Sequence, residues 1–165
     1  MKEAIVVIIM GSKADEAHSR KIAEASLRFG LPSEMRVASA HKTPADLIGM
    51  LSAYEADGRP KVYVTVAGRS NALSGFVDGA VKAPVIACPP PSESFGGADL
   101  WSSLRMPSGI APAFVMDPAN AALFAAKVLA LAEPSLAGGI AREREARVEE
   151  LRAADAELRA QGGLR

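Results

Sequence analysis

The sequence predicts an α/β protein, a three-layer αβα sandwich built on an open parallel sheet, with a C-terminal helical extension. Three observations predict it. Residues 4–10, "AIVVIIM", form an unbroken apolar, β-branched run, too hydrophobic for a strand with one wet face and suited to one covered on both. Short apolar runs then alternate with helix-period segments, and right-handed strand-helix-strand crossovers turn that alternation into a parallel sheet between helical layers. From Pro134 the composition shifts to a charged, Ala-rich stretch, "IAREREARVEELRAADAELRA".

Residues 4–10 read as a central strand. A helix follows over 14–29, with His18, Ile22, Ser26 and Leu27 on roughly one side and Gly30 as its stop. A strand is expected near 35–38. Pro44 stands in the first turn of a second helix carrying Leu47, Ile48, Leu51 and Tyr54, which ends before "DGRP" at 57–60. "KVYVTVA" (61–67) is the next strand, followed by a small-residue helix over 71–80. "APVIAC" (83–88) is a short strand halted by Pro89, Pro90 and Pro91. The Gly- and Ser-rich stretch 92–97 reads as a mobile segment leading to a short helix around 99–105, and "APAFVM" (111–116) reads as the last strand. Asp117 is placed as an N-cap and Pro118 as a first helical residue, so "DPANAALFAAKVLALA" is a helix. These units make a flavodoxin-like domain over residues 1–133. Residues 134–165 form a helical extension whose narrow stripe of Val148, Leu151 and Leu158 needs a surface to pack on, and a neighbouring subunit is the expected one.

Composition removes several function classes. Lys plus Arg equals Asp plus Glu at 19 each, so no overall field favours nucleic acid or an anionic membrane. The single cysteine, Cys88, excludes an intrachain disulfide framework and points to a reducing, cytoplasmic setting. The early apolar run falls well short of the ~18 residues of a membrane helix, and no signal-cleavage pattern follows it. No GxGxxG follows the first strand and no P-loop occurs, so dinucleotide and nucleoside-triphosphate cradles are missing. No Cys and His cluster has zinc spacing. A phospho-acceptor receiver would bunch acidic residues after the first strand, where Asp15 stands alone, and 5% aromatic residues leave little to sandwich a flavin.

Ligands of open parallel sheets sit beyond the carboxyl ends of the strands, so the residues following each strand carry the chemistry. After the first stand Gly11, Ser12, Lys13, Ala14 and Asp15, a tight turn into a helix whose N–H groups would accept a phosphate, or which Ser12 simply caps. After the second stand Ser39, Ala40, His41, Lys42 and Thr43. The imidazole of His41 is the side chain type best able to exchange a proton near neutrality, and Lys42 offers a point charge for a phosphate. After the third stand Ala67, Gly68, Arg69, Ser70 and Asn71, where Gly68 permits close backbone approach, Arg69 offers a fork of donors, and Ser70 and Asn71 serve equally well as caps. Cys88, followed by three prolines, reads as a small buried strand residue, and "RMPSG" (105–109) as a rigid loop.

The ordered set "GSKAD" (11–15), "SAHK" (39–42), "AGRSN" (67–71), "CPP" (88–90) and "WSSLRMPSG" (101–109) resembles the phosphoribosylaminoimidazole carboxylase family, PurE, over roughly residues 4–132. "SAHK", "AGRSN" and "WSSLR" are similar to class II, the carboxylases that use CO2 directly; class I, the N5-carboxyaminoimidazole ribonucleotide mutases, typically reads "SAHR" and "AGGAAHL". The resemblance implies reversible carboxylation of 5-aminoimidazole ribonucleotide (AIR) to 4-carboxy-5-aminoimidazole ribonucleotide (CAIR) in purine biosynthesis. It makes His41 the proton-transfer group at ring C4. It gives Ser12, Asp15, Ser39 and Lys42 to the ribose 5'-phosphate portion, with Asp15 accepting from ribose hydroxyls, and counts Gly11 and Ala40 among the substrate-binding residues. It gives Gly68, Ser70 and Asn71 to a pocket for CO2 or the new carboxylate, with Arg69 as a brace, and counts Ala67 and Ala72 among the substrate-binding residues. No metal, biotin or ATP is implied, since the electron-rich ring supplies the nucleophile; the partners implied are the nucleotide, CO2 and other copies of the chain in a homo-octamer. Two positions depart from the pattern: Ala14 stands where a serine is frequent, and Ala72 where class II typically has Gly and class I the second histidine. These keep the mutase as an alternative activity, and a non-catalytic nucleotide-binding module as an alternative of another kind.

Overall fold

The computed structural model describes residues 2–92 and 94–162. Five parallel strands, β1 (Ile5–Met10), β2 (Ser33–Val37), β3 (Lys61–Val66), β4 (Val85–Ala87) and β5 (Ala113–Phe114), lie in the order β2-β1-β3-β4-β5. The chain winds to one side of β1 and then the other, so the order reverses between β1 and β3. There a crevice opens at the carboxyl ends of the strands. Helices α1 (Glu16–Arg28), α2 (Pro44–Ala56), α3 (Ala72–Ala80), α4 (Trp101–Leu104), α5 (Pro118–Ala130) and α6 (Ala137–Ala160) complete the chain.

Two cores result from the period-2 alternation of the strands. Val6, Ile8 and Met10 of β1, with Val62, Val64 and Val66 of β3, face Ile22 and Ala25 of α1 and the alanines of α5. Ile5, Val7 and Ile9 face the other way, onto Leu47 and Leu51 of α2 and Leu73 and Val77 of α3. All six β1 side chains are therefore buried, as an unbroken apolar run requires, and each contributes ~1.5–3 kcal/mol relative to exposure. The alanines of α5 let that helix approach the sheet closely.

The local signals are those of the sequence. Asp117 caps α5 by accepting from the Asn120 N–H at 2.8 Å, and Gly30 ends the α1 segment at φ 77°. Four expectations are corrected. Leu27 is 66% exposed, because the buried face of α1 runs through Ser19, Ile22, Ala25 and Ser26, where Ser26 Oγ returns its hydrogen bond to the Ile22 carbonyl at 2.9 Å. Ile48 of α2 likewise faces outward. The stretch expected to be mobile is wound, over Ser94–Leu100, as a 3-10 helix running directly into α4; residue 93 lies outside the described residues. The last strand is only two residues long and pairs on one side, with β4.

At the amino ends of the strands, away from the crevice, the Asp57 carboxylate accepts from the Arg59 backbone N–H at 2.8 Å and from its Nε at 2.9 Å, and pairs with Lys61 Nζ at 3.0 Å. Partial desolvation works against the charge, but these donors hold the Asp57 carboxyl down at about 2. No helix among the described residues is long and apolar enough to cross a membrane.

Candidate active site

A cavity of about 350 Å³ occupies the crevice between the carboxyl ends of β1, β2 and β3. Gly11, Ser12, Ala14 and Asp15 line it from β1, Ser39, Ala40, His41 and Lys42 from β2, and Ala67, Gly68, Arg69 and Ser70 from β3, with Leu73 beneath. Three motifs separated by some thirty residues each meet here because their strands are neighbours in the sheet.

Each wall is set by local chemistry. Beyond β1 the ladder continues for one bond, Gly11 N–H to the Val66 carbonyl at 2.9 Å. Ser12 Oγ then accepts from the Ala14 N–H at 3.2 Å, winding residues 13–15 into a 3-10 turn ahead of α1. Ser12 is thus both a cap and a lining residue. Burial lifts the Asp15 carboxyl above its ordinary value, partly offset by a hydrogen bond from the Ser12 backbone.

The turn beyond β2 explains why a histidine can stand at its tip. The Ser39 N–H donates to Thr43 Oγ1 at 3.0 Å, the Thr43 N–H donates to the Ser39 carbonyl at 2.9 Å, and the Lys42 N–H donates to Ser39 Oγ at 3.2 Å. These bonds close residues 39–43 into a tight loop locked to α2, leaving His41 and Lys42 with exposed side chains on the cavity wall. Thr43, which the sequence placed in this stretch without a role, therefore belongs to the site's framework; its hydroxyl bonds with Ser39 instead of capping α2.

Beyond β3, Gly68 packs so closely on Pro90 that an added Cβ would meet Pro90 Cγ at 3.0 Å. The close approach for which a glycine was expected is thus to Pro90. Asn71 and Ala72 do not line the cavity. Asn71 is 2% exposed; its Oδ1 accepts from the Ser74 N–H at 3.1 Å, and its Nδ2 donates to Ser103 Oγ at 2.8 Å. With Ala72 it borders an adjoining groove of about 300 Å³ that also reaches Ser70, Arg105 and Met106. Ser70 stands on the boundary between the two spaces.

A larger groove, about 690 Å³, lies between α1 and the start of α5, lined by His18, Lys21, Arg28 and Asp117 among others, and shares no residue with the crevice. His18 Nε2 lies 3.5 Å from Cys88 Sγ beside it. Burial holds the imidazole below its ordinary value and pushes the buried thiol up to about 12, which disfavours a thiolate there. No group of three or more potential metal ligands occurs among the described residues.

Comparison with known proteins places this arrangement. The family model described as AIR carboxylase matches residues 5–150. The chain is 51% identical to a phosphoribosylaminoimidazole carboxylase of Treponema denticola over 94% of its own length and 98% of that protein's. It is also 51% identical to one of Archaeoglobus fulgidus, over 93% and 84%. The crystal structure of Treponema denticola PurE superposes with a TM-score of 0.92 at 51% identity, covering 94% of this chain and 99% of that one. Sequence, sheet order and the three motifs at one crevice agree: this chain belongs to the AIR carboxylase (PurE) family.

Proposed function

We propose that the chain carboxylates 5-aminoimidazole ribonucleotide with CO2, reversibly, giving 4-carboxy-5-aminoimidazole ribonucleotide. The observation that carries the reading is the convergence of His41, Lys42, Asp15 and Ser70 on one crevice. The aminoimidazole ring is an enamine, and its C4 attacks the carbon of CO2. A C–C bond forms, and one C=O electron pair becomes the carboxylate. C4 then carries both a proton and the new group, and aromaticity returns only when that proton leaves. His41 accepts it, and in decarboxylation returns it to C4 as CO2 departs.

Lys42 meets the 5'-phosphate as a point charge, and Asp15 accepts from the ribose hydroxyls, joined by Gly11, Ser12, Ser39 and Ala40. Ala67, Gly68 and Ser70 surround CO2 or the nascent carboxylate, with Arg69 as a brace, and oriented donors there stabilise the developing charge. Asn71 and Ala72 take part from behind this wall. The relatives named phosphoribosylaminoimidazole carboxylase, 51% identical over nearly the whole chain, support the reading.

The class I mutase activity is the second reading, kept open by Ala72, which departs from the glycine typical of class II. One experiment separates them. Purified protein supplied with aminoimidazole ribonucleotide and bicarbonate, without ATP, is expected to form the carboxylated product; turnover confined to the N5-carboxylated nucleotide would assign the mutase instead. In the same preparation, sedimentation is expected to find a homo-octamer, with residues 134–165 as an extension that packs on neighbouring subunits in a cytoplasmic enzyme.

A further inference from the structure

Ser102 and Ser103 of α4 stand outside the crevice, yet both are tied to its third wall. The backbone N–H of Asn71 donates to Ser102 Oγ at 2.9 Å. The Ser102 hydroxyl proton is directed to the Asp99 carbonyl at 2.7 Å, with the Arg69 carbonyl a more distant second acceptor at 3.3 Å. One residue further on, Ser103 Oγ receives the Asn71 amide at 2.8 Å. Ser103 and Asn71 are 3% and 2% exposed, so water cannot replace this last bond cheaply. The two serines thus grip the chain on both sides of Ser70, at Arg69 and at Asn71, while Pro90 blocks it from beneath at Gly68.

We propose that Ser102 and Ser103 are positioning residues, a latch that fixes the Gly68–Asn71 loop so that Ser70 presents its hydroxyl to the carboxylate subsite. The inference rests on the carboxylase reading and deepens it. The subsite is lined by Gly68, Arg69 and Ser70, which lie in a loop between β3 and α3. Its precision must come from what holds the loop, and displacement of a reacting group by a fraction of an ångström is enough to slow chemistry. The latch leaves the opposite walls alone: residues 11–15 and 39–43 are held by Ser12, Ser39 and Thr43. Loss of the latch should therefore impair turnover while sparing nucleotide binding.

The test compares Ser102→Ala, Ser103→Ala and Ser102→Thr with the parent. Ser102 is only half-buried, so its alanine variant is expected to keep the fold, which circular dichroism checks. Ser102→Ala is expected to lower kcat about 10- to 100-fold. Its calorimetric Kd for aminoimidazole ribonucleotide should stay within about threefold, and Ser102→Thr, which keeps the hydroxyl, should recover most of the rate. Amide hydrogen exchange in residues 68–72 should quicken about tenfold or more in both alanine variants, with exchange at residues 39–43 unchanged. A folded Ser102→Ala protein with parental kcat and parental exchange at 68–72 overturns the proposal. So does a loss of nucleotide affinity matching the loss of rate. If the parent itself fails to carboxylate the nucleotide, the carboxylase reading falls, and the exchange experiment still decides whether the latch exists.

Discussion

His41 owes its position to two hydroxyls of its own turn. Ser39 and Thr43 close the turn at whose tip the imidazole stands, and just beyond the end of β2 the buried Ala38 still pairs its N–H with the Met10 carbonyl at 3.0 Å. His41→Asn keeps a polar side chain of similar size but removes the basic nitrogen. It is expected to bind the nucleotide with near-parental affinity in calorimetry and to lose about 10²- to 10⁴-fold in turnover. A near-parental rate would remove the imidazole from the mechanism. Much of this was legible in the residues, because a strand followed by "SAHKTP" announces a loop with one titratable group. Asn71 was not. A short amide side chain after a strand reads equally as ligand or cap, and only the partners at Ser74 and Ser103 decide between them.

At the scale of elements, α6 is the part whose docking sequence pattern disclosed least. Its stripe of Val148, Leu151 and Leu158 was visible, and Leu151 and Leu158 are indeed 73% and 67% exposed on the single chain. What anchors the helix lies earlier, in a stretch where Gly138 and Gly139 look like helix breakers. Gly139 is buried against the end of the α1 segment, where a Cβ would lie 2.6 Å from the Phe29 carbonyl oxygen. Leu136 is buried next to it, and Glu143 reaches Arg28 at 3.8 Å. Gly139→Ala must therefore push backbone from backbone, and chemical denaturation should show a loss of about 1–3 kcal/mol. Gly49, exposed in α2 with nothing within 4 Å of its would-be Cβ, gives the opposite sign. Gly49→Ala should gain about 0.5–1 kcal/mol through helix propensity alone.

For the whole molecule, the two ends of the sheet divide the work. The carboxyl end gathers the chemistry, and the amino end carries the ion cluster around Asp57. A carboxyl held at about 2 in the fold and near ~3.9 when unfolded binds its proton more readily in the unfolded chain. Its contribution is complete above the unfolded value and is lost as pH falls through the folded one. Denaturant midpoints measured from about pH 5 down to about pH 2 should therefore drop, and Asp57→Asn should flatten part of that slope without altering turnover at neutral pH. An unchanged slope would mean that other carboxylates dominate acid unfolding.

Local pattern alone determined the class of fold. Unbroken β-branched runs can be satisfied only by burial on both faces, and crossovers of fixed hand put helices over a parallel sheet. It determined as well which loops carry reactive groups, since those follow the strands in the chain. Tertiary structure decided which of those loops meet. Residues 11, 12, 14, 15, 39–42 and 67–70 share a cavity because β1, β2 and β3 are adjacent, whereas Pro90 beyond β4 and the serines of α4 pack against its third loop from outside. Contacts between residues some thirty positions apart depend on strand order and backbone approach, and neither leaves a periodic mark in the chain.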